Sequence, residues 1–349
     1  MMLSDQIKIS RYAGENFGPI VNLMNSTYAE HEISDERYLY WEYMRNPDGK
    51  AIMNVASVQD VIVSQYAVIP RKFIFRGRTM NGSVSVNTIT HPSFRGMNLF
   101  PKLAAETFRQ CGENNILFTM GFPNPVSLPV IKKKNIFSIT GSLSVLFRPM
   151  NPVGSLYRFI SGRREKSGSD IPLSISISDK RNSVFDIHTE SPAYEKLLTA
   201  FNKREQLTTY RSVEFFKWRY IDIPRRTYYA LKHVDGELNA IIVFRSKYIY
   251  GIRCLVIVDI IATGQESVKR LLIEIKNVAK ENNIDLIFSA VSPFADEIDT
   301  LKSSGYFSIP GFLLPQKLAF IIKKHRDDCP EEVMHFGNWF LTFGDYDIF

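Results

Sequence analysis

The sequence has little of what marks secreted or membrane-spanning proteins. Its three cysteines, Cys111, Cys254 and Cys329, are too few for a disulfide framework and share no metal-ligand spacing. No stretch approaches the ~18 uncharged apolar residues of a membrane-spanning helix. The first residues also lack the basic region and long apolar core of a signal peptide. These absences predict a cytoplasmic protein with no transmembrane segment and no metal site.

The charge of the chain is only mildly unbalanced. Lys and Arg number 43 against 36 Asp and Glu, which gives a net charge of +7. The basic residues are scattered and have no aromatic platform between them, so the excess permits an anionic ligand but argues against a nucleic-acid partner. With 45% hydrophobic and 23% charged residues, the composition is that of a folded globular protein.

Two copies of one pattern run along the chain. The spacing W-x-Y-x-x-x-P occurs at 41–47 and again at 218–224, and strand-like runs follow each occurrence. Later landmarks repeat in the same order, such as Asn-Asn-Ile at 114–116 and 282–284. Because 349 residues exceed the usual span of one hydrophobic core, we expect a duplicated α/β fold. In each copy, helices precede an antiparallel meander, and a strand, a loop and a helix follow it.

These landmarks divide the chain into four predicted segments. A basic, Gly- and Ser-rich stretch marks a connection between domains. Apolar residues beside arginines at its start predict a connector helix, with peripheral contact to a membrane surface as the alternative. The C-terminal stretch is too aromatic for a disordered tail and should dock on the body. The segments are an N-terminal domain at 1–148, a linker at 149–182, a C-terminal domain at 183–325 and a tail at 326–349.

The sharpest local feature is a strand that ends in a loop which opens a helix, at 84–103. Free backbone N–H groups at such a helix start can bind a phosphate, aided by the helix dipole. Arg95 adds a positive charge, and Gly96 lets the backbone come close to a ligand. The physical argument therefore predicts a phosphate-bearing ligand. An ordinary strand-to-helix corner with a surface arginine remains the alternative.

This loop resembles the pyrophosphate-binding motif of the GNAT superfamily of N-acetyltransferases. The run His-Pro-Ser-Phe-Arg-Gly at 91–96 fits the family pattern, while Asn98 replaces its second glycine and Phe100 its last small residue. The resemblance covers about residues 7–147, and the second copy, at about 183–324, resembles the same fold in its element order. It implies an α/β (α+β) protein of two tandem GNAT-like domains. Each would have a mixed, mostly antiparallel central sheet flanked by helices.

The resemblance also implies a coenzyme A site in the first copy. The strand before the loop would bond the pantetheine arm, and the loop amides would hold the pyrophosphate. The implied residues are Ile89, Thr90, Arg95, Gly96, Met97, Asn98, Leu99, Phe100 and, after the next strand, Asn124. The second copy has no Arg-Gly in its loop and carries Glu266 there, so we expect it not to bind the coenzyme.

Candidate catalytic residues are few. His91 has a pKa range that suits a base, although a role in turn geometry is the alternative. Glu30 and Glu32 follow the first helix, and Asp259 lies on a strand of the second copy; solvated or capped polar groups are their alternative readings. The family often places a tyrosine acid on the next helix, but residues 125–137 contain none.

Aromatic and amide side chains supply candidates for acceptor binding. Tyr38 and Tyr40 could stack on a sugar, and Asn87 occupies a strand position that corresponds to Asp259. Packing is the alternative role for the aromatic motif, because it occurs in both copies. Lys132, Lys133 and Lys134 follow the presumed slot and read as a solvated face that could also reach coenzyme phosphates.

The resemblance implies direct transfer of an acetyl group from acetyl-CoA to a small-molecule amine by a monomer or homodimer. The aromatic Gly-Asp-x-Asp end resembles that of bacterial acyltransferases linked to surface glycans. The expected acceptor is therefore an amino sugar or nucleotide-linked sugar. Two alternatives stay open, a peptide, antibiotic or aminoacyl acceptor, and a non-catalytic sensor or scaffold that binds coenzyme A.

Overall fold

The computed structural model describes residues 6–27, 33–152, 154, 168–175, 191–311, 314 and 317–346. Two of the candidate bases, Glu30 and Glu32, lie outside these residues. The chain packs as two compact units. The first comprises the described residues of Met1–Gly141, Asp222–Arg225 and Ala319–Asn338. The second comprises those of Ser142–Ile221, Arg226–Leu318 and Trp339–Phe349.

The first unit is built on a mixed sheet. Its strands, numbered along the chain, are β1 (Lys8–Arg11), β2 (Ile52–Val58), β3 (Val61–Phe75), β4 (Arg78–Thr90), β5 (Phe118–Gly121), β6 (Ser138–Ser142) and β14 (Ala319–Lys324). They lie in the order β1-β2-β3-β4-β5-β14-β6. The pairs from β1 to β4 are antiparallel, β4 and β5 are parallel, and β5 and β14 are antiparallel.

Helices cover this sheet because each has a stripe of apolar residues. They are α1 (Gly18–Thr27), α2 (Glu36–Met44), α3 (Leu99–Glu113) and α4 (Ser127–Lys134). Asp35 begins α2 by accepting hydrogen bonds from the backbone N–H groups of Arg37 and Tyr38. Helix α3 buries Leu103 and Cys111 completely against the sheet. The main core of this unit lies between α3 and strands β2 and β3.

The second unit repeats the pattern. Its strands are β7 (Ser144–Pro149), β8 (Thr208–Thr209), β9 (Tyr229–Asp235), β10 (Glu237–Ile249), β11 (Ile252–Ala262), β12 (Leu286–Val291) and β13 (Phe307–Ser308). Six of them form a sheet in the order β13-β7-β12-β11-β10-β9, in which only β11 and β12 are parallel. The helices are α5 (Ser191–Phe201), α6 (Val213–Tyr220), α7 (Gln265–Glu281) and α8 (Glu297–Ser303).

The predicted fold class is confirmed. Both sheets are mixed and mostly antiparallel, and both units run through helices, a meander and a parallel strand reached through a crossover helix. The shared Trp-x-Tyr motif ends α2 in one unit and α6 in the other. Trp41 and Trp218 are both buried there, which accounts for the repeat as packing.

The units are not contiguous along the chain, whereas the segments drawn from the sequence are. Strand β7, which follows the residues of the first unit, pairs with β12 in the second sheet. Strand β14, near the C-terminus, pairs with β5 in the first sheet. The alternation of apolar residues in a strand shows that the strand is half-buried, but it does not show which sheet the strand joins. The sequence pattern therefore gave no sign that β7 belongs to the second sheet and β14 to the first.

Candidate active site

The two parallel strands of the first unit separate soon after they meet. Strands β4 and β5 are paired only at Ser83–Thr119 and Val84–Met120, although β4 continues to Thr90. Among the described residues, the part of β4 beyond Val84 therefore has β3 on one side and no paired strand on the other. This edge of β4 borders a gap that a ligand can enter.

The loop after β4 has the backbone shape of an anion-binding turn. Residues Pro92–Phe94 form a 3₁₀ turn, and Gly96 follows with φ of 85°. Asn98, at φ of 57°, is the left-handed residue before α3 and makes no side-chain cap. Asparagine tolerates this conformation better than most residues, so the replacement of the family's glycine keeps the turn. The first N–H groups of α3 are left without intrahelical acceptors.

A cavity of about 430 Å³ opens beside this loop. Of the residues predicted to bind the coenzyme, it is lined by Thr90, Arg95, Gly96, Asn98, Leu99, Phe100 and Asn124. The side chain of Ile89 does not line it, because β-strand alternation turns that residue into the core, where it is buried. Met97 packs against the core cluster below α3 instead. Phe100 also directs its ring inward, 5.5 Å from the ring of Tyr66.

The charge around the cavity is positive. Arg95, Lys133 and Lys134 line it, and the described lining residues include no carboxylate. Lys132, on the same helix turn, is exposed but is not part of the lining. An anionic ligand would therefore be attracted both by side chains and by the N-terminus of α3.

Asn124 lies at the far wall of the cavity and begins α4. Its side-chain oxygen accepts hydrogen bonds from the backbone N–H groups of Val126, at 3.0 Å, and Ser127, at 2.8 Å. These bonds fix the amide plane. The NH₂ group of Asn124 has no acceptor among the described residues, and so is available to a ligand in the cavity.

The candidate bases occupy different surroundings. The Nδ1 atom of His91 accepts the N–H of Ser93 at 3.3 Å, and the His91 ring lies edge-on to Phe94, so it shapes the turn; it is not among the lining residues. Asp259, in the second unit, is fully buried. These contacts favour structural roles for both side chains.

Asp259 is held in an ionic network within the second unit. It accepts bonds from Arg211 Nε at 3.0 Å, Tyr220 Oη at 2.7 Å and Thr342 Oγ1 at 2.9 Å. Arg211 also bonds Asp345 at 3.1 Å. Burial acts to raise the pKa of Asp259, but the charge of Arg211 and these hydrogen bonds keep that pKa below its usual range. The carboxylate is therefore ionised, saturated with donors and shielded from solvent.

The aromatic candidates are mostly parts of the core. Tyr38 is buried with its ring 5.2 Å from that of Trp41. Tyr40 is half-buried beneath the guanidinium of Arg45, at 5.5 Å. Asn87 lies in β4 with φ of 47°.

Sequence reasoning missed three residues that contact Asn87. The side-chain NH₂ of Asn87 donates to the carboxylate of Glu42 and to Tyr43 Oη at 2.9 Å, and its backbone carbonyl accepts from Gln65 Nε2 at 2.9 Å. Glu42 is the variable residue of the repeated Trp-x-Tyr motif, where the second copy has Arg219. The difference between Glu42 and Arg219 was the one sign in the sequence that Glu42 has a role particular to the first copy.

In the second unit, a segment of the chain fills the gap between the two parallel strands, which is open in the first unit. Strands β11 and β12 pair only over Cys254–Ile257 and Leu286–Ser289. Beyond that point the chain's own segment Leu341–Asp345 contacts both strands. Only Thr263 and Gly264 connect β11 to α7, and Glu266 lies in the first turn of that helix. Within its described residues, this unit therefore has neither the Arg-Gly loop nor the open gap between parallel strands found in the first.

No helix among the described residues is long and apolar enough to cross a membrane. No group of three or more His, Cys, Asp or Glu side chains in the same residues could hold a metal ion.

The diverging parallel strands, the left-handed loop and the basic cavity lie together in the first unit. Residues 8–135 match the family model of the acetyltransferase (GNAT) domain. The sequence similarity to this family therefore lies in the N-terminal part of the chain. No curated protein matches the chain in sequence.

Solved structures extend the likeness to the whole chain. A GCN5-related N-acetyltransferase from Anabaena variabilis is 14% identical with a TM-score of 0.64, covering 92% of this chain and 73% of that one. An N-myristoyltransferase from Saccharomyces cerevisiae with bound myristoyl-CoA is 14% identical with a TM-score of 0.62, covering 93% and 80%. A probable N-acyltransferase from Enterococcus faecalis is 8% identical with a TM-score of 0.62, covering 91% and 72%. These similarities show that both units share the tandem GNAT-like fold of N-acyltransferases.

Proposed function

We propose that the first unit binds acetyl-CoA and transfers its acetyl group to the amine of an amino sugar or nucleotide-linked sugar. The observation that carries this proposal is the cavity at the end of β4, which is lined by residues of the loop 95–100 and by three cationic side chains. The amides at the start of α3 would hold the pyrophosphate, with Arg95 beside it. Lys133 and Lys134 would face the remaining phosphate of the nucleotide.

The gap between β4 and β5 would take the pantetheine arm. The unpaired edge of β4 has the spacing of a strand and would bond the arm as a neighbouring strand would. Asn124 would donate its NH₂ to the same arm, because its oxygen is already used by α4. These contacts would bring the thioester to the point where the strands part.

Transfer itself would proceed by attack of a neutral amine nitrogen on the thioester carbonyl. The C–S bond breaks, the coenzyme leaves as its thiolate, and the amine proton passes to solvent or a base. A sugar amine has a pKa near neutrality and needs only modest assistance, which suits a cavity whose described lining holds no carboxylate. This is the reason for preferring an amino sugar over a lysine-like amine.

Two readings compete with this one. The acceptor could instead be a peptide, antibiotic or aminoacyl group, and the donor could carry a longer acyl chain, as in the myristoyl-CoA complex of a structural relative. A coenzyme-binding sensor is the second candidate function. It is favoured by one observation, that His91 serves the turn and is not part of the cavity lining.

Calorimetry with acetyl-CoA tests the binding site. Lys133→Ala should weaken binding by about two- to fivefold, the worth of one exposed ion pair, and the loss should shrink at high salt. Lys132→Ala removes an equal charge from the same helix outside the cavity and should change the affinity little. If the wild type does not bind, or if both variants behave alike, the proposed site is wrong.

Thiol release from acetyl-CoA with a panel of amines then separates the functions. Turnover with amino sugars or nucleotide-linked amino sugars, above that with peptides and aminoglycosides, supports the proposed acceptor. Binding without turnover on any amine supports the sensor.

A further inference from the structure

We propose that His325 is an acid-sensitive latch for β14: its neutral ring holds this strand against β5 and α3, and protonation of the ring releases the strand. His325 directly follows β14. Its backbone N–H donates to the carbonyl of Leu117 at 2.9 Å, which extends the pairing of β14 with β5. The latch belongs to the fold of the first unit and is independent of the proposed function.

The His325 side chain contacts both a helix and a strand of this unit. Its ring lies against the ring of Phe108 in α3, with the two centroids 4.9 Å apart. Its Nε2 atom is 2.7 Å from Oγ1 of Thr119 in β5. The backbone of α3 comes close as well, since a Cβ atom on Gly112 would lie 3.4 Å from the carbonyl oxygen of His325. One residue therefore joins β14, β5 and α3.

A chain of hydroxyl groups assigns the proton of the neutral ring. Thr119 Oγ1 is 2.7 Å from Ser83 Oγ, and the Ser83 hydroxyl donates to the carbonyl of Phe118 at 3.5 Å. Because Ser83 uses its proton on this carbonyl, Thr119 donates to Ser83, and the Nε2–H group of His325 donates to Thr119. The tautomer with its proton on Nε2 thus satisfies every member of the chain.

The second ring nitrogen faces protein and not water. The Nδ1 atom of His325 is buried and has no hydrogen-bond partner among the described residues. In the neutral ring this atom is an uncharged acceptor. In the protonated ring it is a positively charged N–H group without an acceptor, and an unpaired buried charge costs far more than an unpaired neutral nitrogen. The site therefore accommodates the neutral ring and opposes the charged one.

The charges on the neighbouring elements do not offset this cost. Glu113 is paired with Arg109, and Arg326 with Asp328. Burial, and to a smaller extent the positive charge of Lys323, lower the pKa of His325 to about 4. Strands β4 and β5 present the hydroxyls of Ser83 and Thr119 here. The charged or titratable side chains of the other adjoining elements are Cys111 and Glu113 on α3, Lys323 and Lys324 on β14, and Arg326, Asp327 and Asp328 after it.

The direction of the pH effect follows from the lowered pKa. A histidine in the released strand has a pKa of about 6.5 and takes up a proton below that pH, whereas His325 in the paired strand stays neutral down to about pH 4. The stability that the latch gives the paired strand is complete above about pH 6.5 and is lost as the pH falls towards 4. At about pH 5 the equilibrium should be shifted towards released β14 by about ten- to thirtyfold.

Hydrogen exchange read by mass spectrometry tests the latch on the full chain at about pH 7.5 and about pH 5, with rates corrected for the intrinsic effect of pH. In the wild type, the protection of amides in β14 and β5 should fall by about ten- to thirtyfold at the lower pH. Protection in β10 and β11 of the second sheet should not change. Asp259 is still ionised at about pH 5, so its own acid response stays outside this range.

Two variants and a control connect the change to this side chain. His325→Gln keeps a donor for Thr119 but cannot take up a charge, and His325→Phe keeps an aromatic ring against Phe108. In both variants the protection of β14 should be independent of pH. His335→Gln is the control, because His335 lies in the same unit and its hydrogen bonds among the described residues are made by its backbone. This control should respond to acid as the wild type does.

Three results would overturn the latch. Unchanged protection of β14 in the wild type at the two pH values would show that the ring does not control the strand, whether or not the variants fold. An equal loss in His325→Gln would assign the acid response to another group. An equal loss across both units would show that the whole chain unfolds and that no single strand is released.

Discussion

Gly344 offers a direct test of how the C-terminal segment fills the gap in the second unit. A Cβ atom built on Gly344 would lie 2.4 Å from Tyr220 Oη and 2.9 Å from the Asp259 carboxylate. Both neighbours are buried, and they are joined to each other by a 2.7 Å hydrogen bond. Neither is the free end of a flexible side chain, so Gly344→Ala must displace the segment or break that bond.

The size of the effect follows from these contacts. Losing a hydrogen bond to a buried carboxylate costs about 1.5–3 kcal/mol. Forcing a methyl group into a packed site typically costs about 1–3 kcal/mol more. Gly344→Ala should therefore lower the free energy of unfolding of the second unit by about 3–5 kcal/mol.

Urea unfolding followed by tryptophan fluorescence measures this change, because Trp218 and Trp339 are both buried in the second unit. Gly264→Ala is the control. Its Cβ would meet open space and its φ is not positive, so the midpoint should shift by the equivalent of about 1 kcal/mol or less. An unfolding midpoint for Gly344→Ala equal to that of the control would show that the segment is not seated against Asp259.

Three further predictions concern the loop, the buried acid and the thiols. Gly96 has φ of 85° and open space around it. Gly96→Ala should weaken acetyl-CoA binding by about five- to thirtyfold while the midpoint of thermal unfolding hardly moves. Equal losses of affinity and of thermal stability would contradict a role in binding. The pKa of Asp259 is lower in the folded than in the unfolded protein. The stability that its ionised carboxylate gives the fold is therefore complete above the unfolded-state pKa of about 3.9, and it is lost as pH falls through the folded-state pKa. The wild type should therefore lose thermal stability in acid below about pH 4, and Asp259→Asn should be less stable at pH 7 with a flatter acid limb; parallel pH profiles would refute the linkage. Burial raises the pKa of the thiols to about 12 in Cys111, about 12 in Cys254 and about 11 in Cys329. The native protein should therefore react slowly with a disulfide reagent, and fast only when it is unfolded.

The sequence was informative where a local pattern carries the physics. The repeated Trp-x-Tyr spacing and the meander predicted two copies of one fold, because burial of a helix or strand face leaves a period in the sequence. The run at 91–96 indicated the loop beside which the cavity opens, since the left-handed turn and the helix start are set by adjacent residues. Asn98 kept the turn because asparagine shares enough of glycine's conformational range.

The remaining features depend on contacts between distant parts of the chain. The sequence left Asp259 as a candidate base or a capped polar group, because its partner Arg211 is 48 residues away in sequence. The Asn87 side chain bonds Glu42, a helix residue at the variable position of the Trp-x-Tyr motif that lies 45 residues away in sequence. Pairing partners of edge strands likewise follow from the assembled sheet, not from the alternation within a strand.

The position of β14 has a consequence for how the protein is made. All the residues that line the cavity lie between Thr27 and Lys134, yet the strand that pairs with β5 comes from 319–324. During translation, β5 therefore has one edge uncovered until the ribosome has made residues 319–324. An exposed strand edge invites pairing with other chains, so a nascent chain cut short before residue 319 should be a substrate for chaperones or proteases. Quality control of this protein would then depend on whether β14 has been synthesised.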